Sequence, residues 1–413
     1  MNPWRERLPA YAGFGAVLSA AGLPIYIYAP KYYADTYGVS LTALGAILFG
    51  LRLFDVVQDP VLGWFSERMQ RGKAVIISAV AVLLAVSMIG LFAVFPLIDP
   101  AIWFGITITG LFTAFSFLSI NFYAQGVSKA GPNGQFRLAA WRETGALLGV
   151  CIAAVAPTVL MDFSAAPFAA FAYGFATATL LATAFMWPEW RASVSQAPAP
   201  MRQILSDPVT RKLLVLALVN ATPLAVSSTL FLFFVEARLG AVGWEGPLLV
   251  LFFLAAALSS PVWSALARRY RAKRTLLLAM VLAVVSFGYV ITLGTGDIVP
   301  FAVVCVLSGA TIGADLTLLP AIFAQRMAEI APNGGQGFGL WSLVSKFTLA
   351  FAAVILLPLL ENAGFESGQA ELPAKALVTL TVLYALVPSV LKCIAIGLLL
   401  TLNLENDDDE LAR

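Results

Sequence analysis

Histidine is absent from this chain of 413 residues. That excludes a histidine proton relay, imidazole ligation of haem and most zinc sites. Charge is scarce as well: 12% of the residues are Asp, Glu, Lys or Arg, against roughly 25% in a soluble domain. The three cysteines, Cys151, Cys305 and Cys393, stand in apolar runs and read as small core residues, not as a disulfide set. No phosphate-cradling glycine loop, catalytic triad signature or metal-ligand cluster stands out, so neither an enzyme nor a cofactor is expected. The abundant component is apolar: 60% of the residues are hydrophobic and the mean hydropathy is +0.88. Apolar runs of about 20 residues recur from end to end, which predicts membrane-spanning helices and not barrel strands.

The runs predict twelve spans, at 9–33, 40–66, 74–97, 101–126, 137–161, 165–187, 211–236, 243–266, 275–295, 299–325, 337–361 and 376–402. The Pro-, Ala- and Ser-rich stretch 188–208 reads as a cytoplasmic linker. It separates an amino-terminal six-helix bundle, 1–187, from a carboxy-terminal one, 209–402, and 403–413 is an acidic tail. The short basic amino terminus precedes a first helix read as uncleaved. With that terminus in the cytoplasm, the outer loops hold only Lys31, Arg238 and Lys375 of the basic residues. The bias places both termini in the cytoplasm, and the membrane is expected to be a plasma (inner) membrane. The net charge of +2 carries no implication of nucleic acid, because the basic residues sit in loops.

Within the second span, Arg52, Asp55 and Asp59 stand at i, i+3 and i+7, a single stripe on a helix. Ionisable groups at membrane depth are costly and face a cavity or a partner. Two carboxylates a turn apart repel unless a cation sits between them or one binds a proton. Pro60 leaves the carbonyl of Val56 free beside Asp59. The stripe is read as a Na⁺ or H⁺ site; a structural cluster with Arg52 neutralising one Asp is the alternative.

The two halves match at an offset of about 200 residues, as an internal repeat would. Asp59-Pro60-Val61 is echoed by Ser260-Pro261-Val262, the basic loop after Glu67 by Arg268 to Arg274, Pro132-Asn133-Gly134 by Pro332-Asn333-Gly334, and Trp141 by Trp341. A parallel six-plus-six repeat resembles the major facilitator superfamily fold. Gly63, Glu67, Arg68, Arg71 and Lys73 resemble that superfamily's loop between helices 2 and 3. The resemblance implies a gating role: Glu67 latches the outward-facing state through the basic loops near Arg137 or Arg268.

Arg52-x-x-Asp55-x-x-x-Asp59-Pro60-x-x-Gly63-Trp64 resembles the glycoside-pentoside-hexuronide:cation symporters, the melibiose permease group. Tyr11-x-Gly13-x-Gly15, Tyr32-Tyr33-x-Asp35, Trp141-Arg142-Glu143 and Lys346 agree with it. The resemblance implies a cation site of Asp55, Asp59 and the hydroxyl of Ser116, with Gln58 where the family usually has Asn. It leaves sodium, lithium and proton open. At the positions where melibiose-type members clamp sugar hydroxyls, this chain has Ser19, Ser119 and Tyr123, so both family acids are missing.

Other polar residues at depth are candidates for contact with solute. Arg142 and Glu143 point about 100° apart on a helix, and Arg142 is expected to reach toward helix 2 and hold a carboxylate there when the cation leaves. Gly145 and Gly149 have the spacing that lets another helix approach closely. Asp315 is expected to pair with Lys346, while Lys392 is expected to snorkel. Pro24 and Pro223 are expected to break their helices. Tyr26 and Trp341 complete the candidate solute set. The implied activity is cation-coupled symport of a small organic solute, a sugar or glycoside, by a functional monomer. A carrier of an amphipathic or lysolipid-like solute is the alternative.

Overall fold

A computed structural model of the chain describes residues 7–23, 28–69, 72–191, 200–365 and 373–402. Helix occupies each of the twelve predicted spans. The first holds α1 (Leu8–Leu23) and α2 (Ala29–Tyr37). The predicted break at Pro24, with Tyr26, lies outside the described residues. Ser40 caps α3 (Leu41–Arg68), its hydroxyl accepting the N–H of Ala43. α4 (Lys73–Phe92) follows.

The fourth and fifth spans are two limbs of α5 (Pro100–Leu160), which Asp99 caps. The limbs part at Gly131, where φ is 58°, a left-handed value that glycine adopts at little cost. α6 (Pro167–Arg191) closes the first half. After the short α7 (Met201–Ser206) come α8 (Pro208–Phe233), with a π turn at Phe234–Arg238, α9 (Glu245–Tyr270) and α10 (Ala272–Gly288). The chain then runs through α11 (Ile298–Ile330), α12 (Gly335–Asn362), α13 (Ala374–Thr381), a π turn at Val382–Leu386, and α14 (Val387–Leu400). Among the described residues, nine helical stretches are long and apolar enough to cross a membrane. This is an all-α, multi-pass membrane protein.

α8 runs unbroken through Pro223, contrary to the predicted break. Thr222 donates to the carbonyl of Leu218 at 2.7 Å and Ser227 to that of Pro223 at 3.0 Å. Both hydroxyls bond carbonyls of their own helix, on either side of the proline.

The helices form two units. One is Met1–Met201 with Ala324–Leu343, the other Arg202–Phe323 with Val344–Arg413. In the first, α1 lies against the second limb of α5. A Cβ on Gly145 would stand 2.1 Å from the carbonyl oxygen of Ala12, and one on Gly149 the same distance from that of Ala16. The close approach read from their spacing is real, and α1 is the helix that makes it. Tyr32, Tyr33, Phe104 and Phe168 pack ring against ring in this unit. In the second unit, Tyr384 stacks on Phe234 at 4.2 Å.

Candidate functional site

α3 and the first limb of α5 share one register. Thr113 donates to Gln58 Oε1 at 2.9 Å and Ser66 donates to Asn121 Oδ1 at 2.7 Å. Both pairs are 55 residues apart, so the two helices run parallel. Ser116 therefore lies at the level of Val61, about half a turn beyond Asp59. Asp55, Asp59 and Ser116 are all buried, at 1%, 0% and 0% exposure. The two carboxylates of the stripe thus face protein, not lipid. The side chain of Arg52 lies outside the described residues.

Asp59 has a partner that the motif did not announce. Ser342, on α12, donates to its Oδ2 at 2.6 Å. The signal was faint: Ser342 follows Trp341, which the internal repeat had singled out. Glycines bring the helices this close. A Cβ on Gly63 would meet the Gly335 carbonyl at 2.7 Å, and one on Gly339 would meet the Asp59 carbonyl at 2.9 Å. Two turns further along α3, the buried Glu67 accepts the backbone N–H of Gln336 and its side-chain amide, each at 2.9 Å. Gln336 is the second residue of α12. A carboxylate there satisfies an N–H that has no partner within its own helix and meets the positive end of the helix dipole. The sequence had directed Glu67 toward Arg137 or Arg268. Gln336 is a partner that the motif did not name, and Arg268 bonds Ser264 on its own helix at 2.9 Å.

Lys73 is also buried. It donates to Gln125 at 3.1 Å, and Gln125 donates to the carbonyl of Glu189 at 2.8 Å. Arg68 lies over the Trp64 ring at 3.7 Å. Arg71 is outside the described residues.

Arg142 behaves differently from its expectation. Its Nε donates to Glu143 at 2.7 Å, and its guanidinium lies 3.8 Å from the centre of the Tyr123 ring. Tyr123 in turn donates to the same Glu143 oxygen at 2.9 Å. The two backbone positions diverge, but the flexible arginine stem folds back to the nearest countercharge, and the ring face holds it there. Phe338 packs 5.1 Å from Tyr123, and Trp341 lies 6.5 Å from Phe338. Ser19 and Ser119 are half-buried on α1 and α5.

The second unit holds its own buried charges. Lys392 forms an ion pair with Asp315 and donates to Asn220 Oδ1 at 2.7 Å. This corrects two expectations. Asp315 was assigned to Lys346, which is itself buried, and Lys392 was expected to reach for the interface. Lys392 is only 6% exposed. At that depth an adjacent carboxylate and an amide oxygen replace the water that the ammonium cannot reach.

The model of a family described as MFS/sugar transport protein matches residues 9–406. Three solved structures resemble the chain in fold. A bacterial homologue of the iron transporter ferroportin, in the outward-facing state, is 14% identical, with a TM-score of 0.68 over 96% of this chain and 100% of its own. The human organic anion transporter MFSD10 (TETRAN) is 16% identical, with a TM-score of 0.68 over 97% and 100%. The E. coli fucose:proton symporter FucP, in a point-substituted form, is 12% identical, with a TM-score of 0.66 over 96% and 98%.

Proposed function

Because the chain belongs to the MFS/sugar transport protein family, and is a transporter and not an enzyme, we propose that it is a secondary active carrier that couples solute movement to Na⁺ or H⁺. The observation that supports this best is the pair of fully buried carboxylates, Asp55 and Asp59, one turn apart on α3. In this reading Gln58 on the same helix and Ser116, half a turn beyond Asp59, add oxygen ligands, a donor set suited to a hard cation. Like-charge repulsion favours uptake of either a metal ion or a proton.

The bond from Ser342 makes the site responsive to more than its own helix. A cation on Asp59 competes with that hydroxyl for lone pairs, so filling the site loosens α12 from α3. Glu67 acts on the same seam as the latch, holding the first turn of α12. In alternating access, with one bundle rocking against the other around a midplane site, this seam is what has to open. The membrane is a plasma (inner) membrane, with both termini cytoplasmic and the chain working as a monomer.

The melibiose-type symporters provide the model for this reading, with a sugar or glycoside as cargo. The second reading, an amphipathic or lysolipid-like solute, is favoured by one feature: two adjoining cavities in the second unit, one beside a charged pair and one walled by phenylalanines. Proteoliposomes test the coupling. Uptake against a gradient should require an inward Na⁺ or H⁺ gradient and should vanish in Asp55→Asn/Asp59→Asn. Undiminished accumulation by that double variant would refute the coupling site.

A further inference from the structure

Two cavities lie inside the second unit, of about 70 and 60 Å³. Leu224, Ser227, Phe252, Phe287 and Ser308 line both, so the two chambers adjoin across a wall of shared side chains. Each has room for more than one water.

The first chamber ends at Asp315, Lys392 and Asn220. Asp315 is 6% exposed, and its Oδ1 has no hydrogen-bond partner among the described residues, while Oδ2 takes Lys392. Lys392 uses two of its three N–H donors, on Asp315 and Asn220. The hydroxyls of this chamber spend their protons on their own helices. Ser227 donates to Pro223, Ser308 to Val304, Thr311 to Ser308 and Ser389 to Ala385, all through backbone carbonyls. What they turn to the space is lone pairs.

The chamber therefore offers several acceptors, Asp315 Oδ1 among them, and three N–H donors, one left on Lys392 and two on the Asn220 amide. Its charges already cancel. A charged ligand would leave an uncompensated charge at depth, which is costly. A neutral group that both donates and accepts hydrogen bonds, a hydroxyl or an amide, suits it. The second chamber is aromatic, lined by Phe231, Phe253, Phe301 and Tyr384. Tyr384 sits in the π turn Val382–Leu386, a local departure from α-helix of a kind frequent at functional sites.

We propose that the carboxy-terminal unit carries a binding site of its own for a neutral amphiphile, with a hydroxyl- or amide-bearing head at Asp315, Lys392 and Thr311 and an apolar part among the phenylalanines. The inference deepens the second of the two solute readings and rests on it for its role in transport. Binding itself needs no gradient.

The test is equilibrium binding of tritiated 1-octanoylglycerol to the full chain in lipid nanodiscs, with empty nanodiscs subtracted. Saturable binding is expected. Octylammonium and octanoate should compete at least about tenfold more weakly than unlabelled probe, a difference of about 1.4 kcal/mol, and glycerol should not compete. Ser308→Ala/Thr311→Val removes two acceptors without removing a proton that bridges helices, and should weaken binding about tenfold. Absence of saturable binding, equal competition by either charged analogue, or unchanged affinity in Ser308→Ala/Thr311→Val would overturn the site. Loss of uphill transport in Asp55→Asn/Asp59→Asn bears only on the coupling reading, and so does its persistence.

Discussion

Ser342 donates its hydroxyl proton to Asp59 at 2.6 Å, which ties a buried carboxylate of α3 to the third turn of α12. The bond occupies a lone pair that a cation on Asp59 would need. Ser342→Ala should therefore raise cation affinity. A hydrogen bond to a charged group is worth roughly 1.5–3 kcal/mol, so the half-maximal concentration of the coupling cation should fall by about tenfold or more. Cation-dependent protection against thermal unfolding reads this directly. A fall in affinity would make Ser342 a ligand instead of a competitor.

Glu67 and Gln336 supply the second test. Glu67→Gln keeps the shape of the side chain but removes its charge, and one of the two bonds to Gln336 is lost or weakened. The contact should weaken by about 1–2 kcal/mol. A cysteine placed at Ser66, in a background lacking the three native cysteines, should then be alkylated several-fold faster. Unchanged labelling would show that Glu67 holds nothing closed.

Gly63→Ala acts on the same seam by bulk. The new Cβ would stand 2.7 Å from the Gly335 carbonyl oxygen and 3.2 Å from Gly339 Cα. Backbone atoms cannot swing aside, so α3 and α12 must part, at a cost of about 1–3 kcal/mol. The variant should insert normally and show the same faster labelling at position 66. Normal labelling would mean that the helices absorb the methyl group without moving apart.

Lys392→Met leaves Asp315 buried without its countercharge. Breaking a buried pair from one side costs about 3–5 kcal/mol, and the variant should melt well below the native protein. Adding Asp315→Asn should recover most of that loss, since the uncompensated charge is gone. A double variant as unstable as the single one would show that Lys392 matters through packing and not through charge.

Arg142 should be needed for function without being part of the cation site. Its bonds run to Glu143 and Tyr123. Arg142→Ala should insert and still bind the coupling cation, yet lose counterflow of solute. Normal counterflow would make the Arg142–Glu143–Tyr123 cluster purely structural.

Much of this molecule was legible in one dimension. Apolar runs of membrane length, a repeat in one register and the scarcity of charge specify a helical membrane protein, because each spanning segment must satisfy its own backbone in lipid. The helical period alone puts Asp55 and Asp59 on one stripe, and their cost at depth implies that the stripe is enclosed. The close approach at Gly145 and Gly149 also follows from spacing, since two missing side chains a turn apart leave a groove. Partner choice was not legible. Lys346 and Lys392 are equally cationic in the sequence, and nothing local says which one Asp315 will meet. Glu67 sits beside many basic residues along the chain, yet two of its bonds go to a backbone N–H and an amide 269 residues away. Such pairings depend on which helices touch and at what height, and packing sets both. The sequence by itself determined the helices, their burial and the acidic stripe, through hydrophobicity and period. Only the tertiary structure decided that Ser342 holds Asp59, that Gln336 holds Glu67 and that Lys392 holds Asp315, because a side chain's partner is chosen by distance in space and not by distance along the chain.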